Sequence, residues 1–174
     1  MARRNEVQKA RVVFTTRDWN PISFLIRRML PRSAFFGSLS SHAVIDMGDG
    51  TAIEASMRFG VRHVPMDQVM HGVRVVAVRE YLVADEERGY RWLLDQIGTR
   101  YDWSGAIGLV DPDREWQKPD AWYCYELVAA YLVKCGLDVF HRHGSISERE
   151  LLALKPDLIS TMGLNAQQLK ETNQ

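Results

Sequence analysis

Residues 42–55 read His-Ala-Val-Ile-Asp-Met, then Gly-Asp-Gly, then Thr-Ala-Ile-Glu-Ala. Little but an antiparallel hairpin accommodates that order. Strand-forming residues on either side of an Asp-Gly pair are a strong local signal for two strands folded back on one another. Arg11 to Thr16 (RVVFTT) adds a strand before the hairpin, and Val61 to Val64 and Val73 to Val78 add strands after it. Together they predict an antiparallel sheet of four or five strands. Beyond Glu80 the apolar spacing changes from two to about 3.6 residues. Tyr90, Leu93, Leu94 and Ile97 then form one stripe of a helix over 85–97, and Ser104 to Leu109 forms a short one. Cys124 to Cys135 is a strongly apolar helix stopped by Gly136, and Ser147 opens another with Glu150 completing a capping box. An earlier helix over 20–32 starts at Asn20-Pro21 and ends near Pro31. Its Arg27, Arg28 and Arg32 sit where cations suit the macrodipole. Strands first and helices later predict an α+β fold with helices on one side of an antiparallel sheet.

The 174 residues suit one domain, with a polar tail from about 165 onward. Lys and Arg number 22 and so do Asp and Glu. No long-range field therefore favours nucleic acid or an acidic membrane as the main partner. No run approaches the roughly 18 apolar residues of a membrane span. The opening residues (MARRNEVQKA) carry charge without the apolar core of a secretory signal. The expectation is a soluble protein, either cytoplasmic or delivered without a signal peptide by a phage particle or a secretion apparatus.

Chemistry concentrates at Cys124. Pro119-Asp120 precedes the segment Trp122-Tyr123-Cys124-Tyr125-Glu126-Leu127, with Asp120 as the expected cap, so Cys124 falls in the first helical turn. Free backbone N–H groups and the positive dipole end favour a thiolate there, and the same N–H groups can hold an oxyanion. A buried structural cysteine satisfies the same segment. The second cysteine, Cys135, is eleven residues along the helix. That is roughly 16 Å at about 1.5 Å per residue, too far for a disulfide. Neither cysteine shares a zinc-like spacing with histidine, so no metal and no cofactor is expected.

A thiolate needs a base, and the base an orienting group. Of five histidines, His42 opens a strand after Ser40-Ser41; His63 and His71 lie in or beside strands; His141 and His143 follow the cysteine in a polar loop. Glu54 interrupts an apolar run on the strand paired with that of His42, where an acid is unfavourable unless bonded. A cross-strand His42–Glu54 pair would fix the imidazole tautomer. A solvent-facing Glu54 on an edge strand is the other reading.

These segments resemble the circularly permuted, NlpC-type members of the papain-like cysteine hydrolases, of the YiiX kind, related to lecithin-retinol acyltransferase-like proteins. The likeness rests on Ser41-His42-Ala43-Val44-Ile45-Asp46, on Thr51-Ala52-Ile53-Glu54-Ala55 and on Gly60-Val61-Arg62-His63-Val64-Pro65. Gly98-Thr99-Arg100-Tyr101-Asp102-Trp103 and Cys124-Tyr125-Glu126-Leu127-Val128 complete it. It implies a papain-like half-barrel packed against the cysteine helix, with Cys124 as nucleophile, His42 as base and Glu54 as orienting residue. It also implies Tyr101 near the thiol, assisting the oxyanion. Chain order agrees with the permuted reading, because only helices and loops are expected after Cys124. The implied substrates are amide bonds of peptidoglycan-type peptides or acyl lipids. Tyr125 departs from the small residue usual after such a cysteine, which would narrow the cleft or alter substrate choice. A lipid acyltransferase or thioesterase, or a catalytically silent binding module, is the alternative. Trp103, Trp116, Trp122, Tyr123 and Tyr125 are candidates for a substrate groove and equally for the core.

Overall fold

The fold is taken from a computed structural model, which describes residues 8–16, 40–108, 120–137, 146 and 148–154. The helix expected over 20–32, Trp116, His141, His143, Ser147 and the polar tail lie outside the described residues. The architecture is α+β, built on a five-stranded antiparallel sheet in the order β4-β3-β2-β1-β5. The strands are β1 (Gln8–Thr16), β2 (His42–Asp46), β3 (Thr51–Ser56), β4 (Gly60–Pro65) and β5 (Arg74–Val83). Strand β1 lies between β2 and β5, with Val13 opposite both Val44 and Val78.

The hairpin at residues 46–51 forms as its sequence requires. Met47 N–H donates to the Thr51 carbonyl at 3.0 Å. Within the loop, the Asp46 carboxylate accepts from Gly48 N–H, and Asp49 accepts from both the backbone and the hydroxyl of Thr51. A second tight turn joins β3 to β4, with Ser56 facing Gly60. β3 is therefore an interior strand, and the edges of the sheet are β4 and β5.

Helices α1 (Met66–Met70), α2 (Glu86–Asp95), α3 (Trp103–Gly108), α4 (Cys124–Lys134) and α5 (Glu148–Ala153) follow. Helix α1 is one turn that the strand-dominated pattern between Val61 and Val78 did not announce. It covers a small apolar patch of Val13, Val44, Ala52 and Val69. The main core joins Val12, Phe14, Ala43, Ile45, Ile53 and Ala55 of the sheet to Leu127, Val128, Tyr131 and Leu132 of α4. Helix α4 packs on β2, β3 and α2. Alternate residues of β2 and β3 thus serve two faces, which is the period-two rule in operation.

The ends of α2 and α4 are specified locally. Asp85 caps α2, its carboxylate accepting from Arg88 N–H at 2.9 Å. The expected apolar stripe of α2 is only partly used: Leu93 is buried, whereas Leu94 and Ile97 are largely exposed. Tyr123, not Asp120, is the N-cap of α4. The reason is a two-residue parallel pairing of β7 (Ala121–Trp122) with β6 (Arg100–Tyr101), which keeps the chain extended up to Tyr123. At the other end Gly136 adopts φ 95°, and Gly136 N–H and Leu137 N–H donate to the carbonyls of Val133 and Leu132. That is the left-handed glycine cap, and it sets the stop at the residue expected from sequence.

Gly60 at the β3–β4 turn has φ 72°, and a Cβ there would run into the carbonyl oxygen of Thr99. The same carbonyl accepts from Val61 N–H at 2.9 Å, so it cannot retreat without losing a bond. Gly50 has φ 86° with open space around it. Gly50→Ala should therefore lose about 1 kcal/mol, from backbone strain alone. Gly60→Ala should lose on the order of 2–4 kcal/mol. Comparing the two in denaturant titrations checks this; equal losses would remove the Thr99 contact from the explanation.

Candidate active site

The site is assembled from three directions. The hairpin β2–β3 supplies His42 and Glu54. In the observed register Ile45 faces Ile53 and Asp46 faces Ala52, so Glu54 lies across from Val44 and His42 reaches it diagonally along the same face. His42 Nε2 and Glu54 Oε2 are 2.5 Å apart. Glu54 is buried, 5 % exposed, while the His42 ring is about a quarter exposed with a side-chain accessibility of 26 %.

The other oxygen of Glu54 is held by Arg62, which sits directly opposite on β4. Its Nε and Nη2 both donate to Oε1, at 2.8 and 2.5 Å. Sequence reading missed Arg62. The signal was present: a tight turn at residues 57–59 puts residue 62 opposite residue 54, and a buried acid calls for a cation. Burial works against the charged carboxylate, but the bonds and charges of His42 and Arg62 prevail and hold it down at about 2.

The third contribution comes through α4. Helix α4 begins at Cys124, and its packing on β2 and β3 brings the thiol to the imidazole. Burial disfavours the charged ring of His42, yet the hydrogen bonds it donates to Cys124 and Glu54 and the charges of both raise its pKa to about 10. With Nε2 committed to Glu54, Nδ1 is the ring nitrogen left for the thiol. Cys124 itself is 5 % exposed. His63 is exposed and bonded to the Thr51 hydroxyl, so it belongs to the opposite end of the hairpin.

A cleft of about 660 Å³ opens beside this group. His42, Glu54, Arg62, Tyr101 and Trp103 line it, with Arg58 and Phe59 from the β3–β4 turn. Tyr101 arrives through the parallel β6–β7 pair, which sets it against Trp122 two residues ahead of Cys124. Burial and the nearby Cys124, Asp102 and Glu126 push the Tyr101 phenol well above its usual range, so it keeps its proton. Its ring meets Trp103 edge-on at 5.2 Å.

The other aromatic candidates take different places. Tyr125 is 4 % exposed and does not line the cleft; its hydroxyl bonds to Ser40 Oγ at 3.0 Å. Tyr123 is buried with its hydroxyl donating to the Ile146 carbonyl. Trp122 donates from Nε1 to Gln96 and meets Trp92 edge-on. Of the five groove aromatics expected, four lie among the described residues, and of these Trp103 alone lines the cleft, at 46 % exposure. The physical reason is that α4 is buried nearly all round, which turns the rings flanking Cys124 into core. Cys135, packed at the far end of α4, has its thiol pushed up by burial to about 12. Both cysteines are free.

Comparison with protein-family models, curated proteins and solved structures finds no match for this chain. Residues His, Cys, Asp and Glu form no metal-binding group among the described residues, and no described helix is long and apolar enough to cross a membrane.

The shifted groups give a pH signature with a definite sign. Glu54, depressed to about 2, contributes stability fully above the ordinary carboxylate value of 4.5, and this fades as pH falls toward 2. His42, raised to about 10, contributes fully below 6.5 and loses that contribution as pH rises through 10. Glu54→Gln should destabilise by about 3–5 kcal/mol at neutral pH, since it strips a buried acid from two cations. The gap from wild type should shrink between pH 4.5 and 2. In wild type the His42 imidazole should be charged at pH 8 by NMR, with a lower midpoint in Glu54→Gln. A neutral ring at pH 8 would contradict the arrangement.

Proposed function

We propose that the protein is a cysteine hydrolase with Cys124 as nucleophile, His42 as base and Glu54 as the residue that orients and holds the charge of His42. The observation that carries this reading is the chain of contacts Arg62–Glu54–His42–Cys124, which ends on a thiol at the first residue of a helix. An imidazolium beside a first-turn cysteine favours the thiolate. In the reaction, the Cys124 sulfur attacks an amide or ester carbonyl, and the oxyanion forms beside the N–H groups of the α4 first turn and the protonated Tyr101 hydroxyl. His42 gives its proton to the leaving nitrogen or oxygen. It then takes one from a water molecule, which attacks the thioester and releases the acid.

The fold that this reading implies is papain-like in the permuted order, with the base ahead of the nucleophile. The strand hairpin, the helix that begins at the cysteine and the Tyr101 segment beside it all support it. Peptidoglycan-type peptides and acyl lipids are the substrate classes of the family it resembles. The silent-module alternative drew its support from Tyr125, and that support weakens because Tyr125 bonds Ser40 instead of intruding on the cleft.

Alkylation of Cys124 by iodoacetamide should already be fast well below pH 8.5, the range of a free cysteine. In His42→Ala the profile should revert toward that range. Muropeptides and short-chain acyl esters, each offered to wild type and Cys124→Ala, identify the bond cleaved. Turnover of at least one should fall by 10³-fold or more in the variant. An alkylation profile indifferent to His42→Ala would sink the thiolate–imidazole pair.

A further inference from the structure

The cleft is unevenly charged. Among the described residues its lining holds a single carboxylate, Glu54, and that carboxylate is already shared between Arg62 and His42. Arg58 stands in the same wall on the β3–β4 turn and makes no ion pair among the described residues. Its guanidinium rests 5.2 Å from the centre of the Phe59 ring, and the Arg62 guanidinium lies 4.8 Å from the centre of that same ring. Two like charges are thus drawn to one aromatic ring, with one anion to serve both them and the imidazole. A guanidinium is always charged and offers up to five donors in a planar fork. Arg58 spends them on no acid, and Phe59 beneath it is 58 % exposed, an apolar platform held at the mouth of the cleft.

We propose that Arg58, stacked on Phe59, is a specificity residue that binds a carboxylate of a peptide substrate in the cleft that His42 lines. A carboxylate supplies the planar, two-oxygen partner that a free guanidinium fork matches. The remaining wall suits a peptide better than a fatty acyl chain. Thr15, Ser41, Ser56 and Gln68 offer hydrogen bonds among the apolar side chains, where a long acyl chain would need an unbroken apolar channel. This rests on the hydrolase reading for the word substrate, but the binding preference stands without turnover.

The test uses two peptides that differ in one charge, N-acetyl-glutamyl-alanine amide and N-acetyl-glutaminyl-alanine amide. They are titrated by calorimetry into the full-length protein and into Arg58→Ala and Arg58→Lys. The acidic peptide should bind at least 10-fold more tightly than its neutral partner. That advantage should vanish in Arg58→Ala and survive in part in Arg58→Lys. Arg58 is exposed in a turn, so unchanged thermal unfolding of the variants is expected and shows that folding is not what was altered. Equal affinity for the two peptides, no binding of either at millimolar concentration, or an advantage that persists in Arg58→Ala overturns the proposal. So does tighter binding to phosphatidylglycerol vesicles than to phosphatidylcholine vesicles that disappears in Arg58→Ala without any peptide preference, because it assigns the arginine to a lipid phosphate. Failure of the hydrolase reading looks different. The acidic peptide would then bind with its Arg58 dependence intact, while Cys124→Ala changed no turnover of any substrate.

Discussion

A carboxylate on an interior strand governs this structure. Glu54 is desolvated, and an ionised acid in that position is unfavourable unless cations and hydrogen bonds replace the lost water. Arg62 and His42 supply them, one from each neighbouring strand. The register of β2, β3 and β4 is therefore fixed by charge as well as by the apolar alternation around it. A slip of one residue would send Glu54 into the main core and turn Ile53 and Ala55 out of it. His42 inherits its orientation and its positive charge from this arrangement, and Cys124 is presented to a ring that is already aimed.

The second constraint is the way α4 enters the sheet. Its first residue is the cysteine, its body is core, and the residue after the cysteine is tied to the residue two before the base. The Tyr125–Ser40 bond and the Glu148 carboxylate, which accepts from Ser40 N–H at 2.9 Å, anchor the start of β2 to α4 and α5. His42 and Cys124 thus share a common footing, although neither the short strand nor the helix end would hold the geometry alone. The bulk of Tyr125 is taken up inside the protein.

The α+β class, the five strands, the hairpin and the stop at Gly136 were legible because each is written in local chemistry: alternation, an Asp-Gly turn, a left-handed glycine. His42 and Glu54 could be paired on paper because turn position fixes cross-strand neighbours, whereas Cys124 was joined to them by the family resemblance and not by any local pattern. The places of Trp122, Tyr123 and Tyr125 could not. Whether an aromatic ring beside a cysteine faces a cleft or a core depends on how much of α4 is covered by β2, β3 and α2, which no local pattern reports. The cap at Tyr123 was hidden for a related reason. It depends on β6 pairing with β7, a two-residue parallel contact between distant segments whose individual signals are too weak to see. Arg62 was legible in principle, and turn arithmetic alone would have found it.

The position of β1 has a consequence for the order in which the site is put together. The strand at the start of the described chain is sandwiched between β2 and β5, so the sheet that carries His42 stays open on one side until β5 has been added. Cys124 follows later still, and its helix docks only on a finished β2–β3 surface. The contact between the Cys124 thiol and the His42 ring is in this sense a property of the assembled sheet and helix together, and neither element holds it alone.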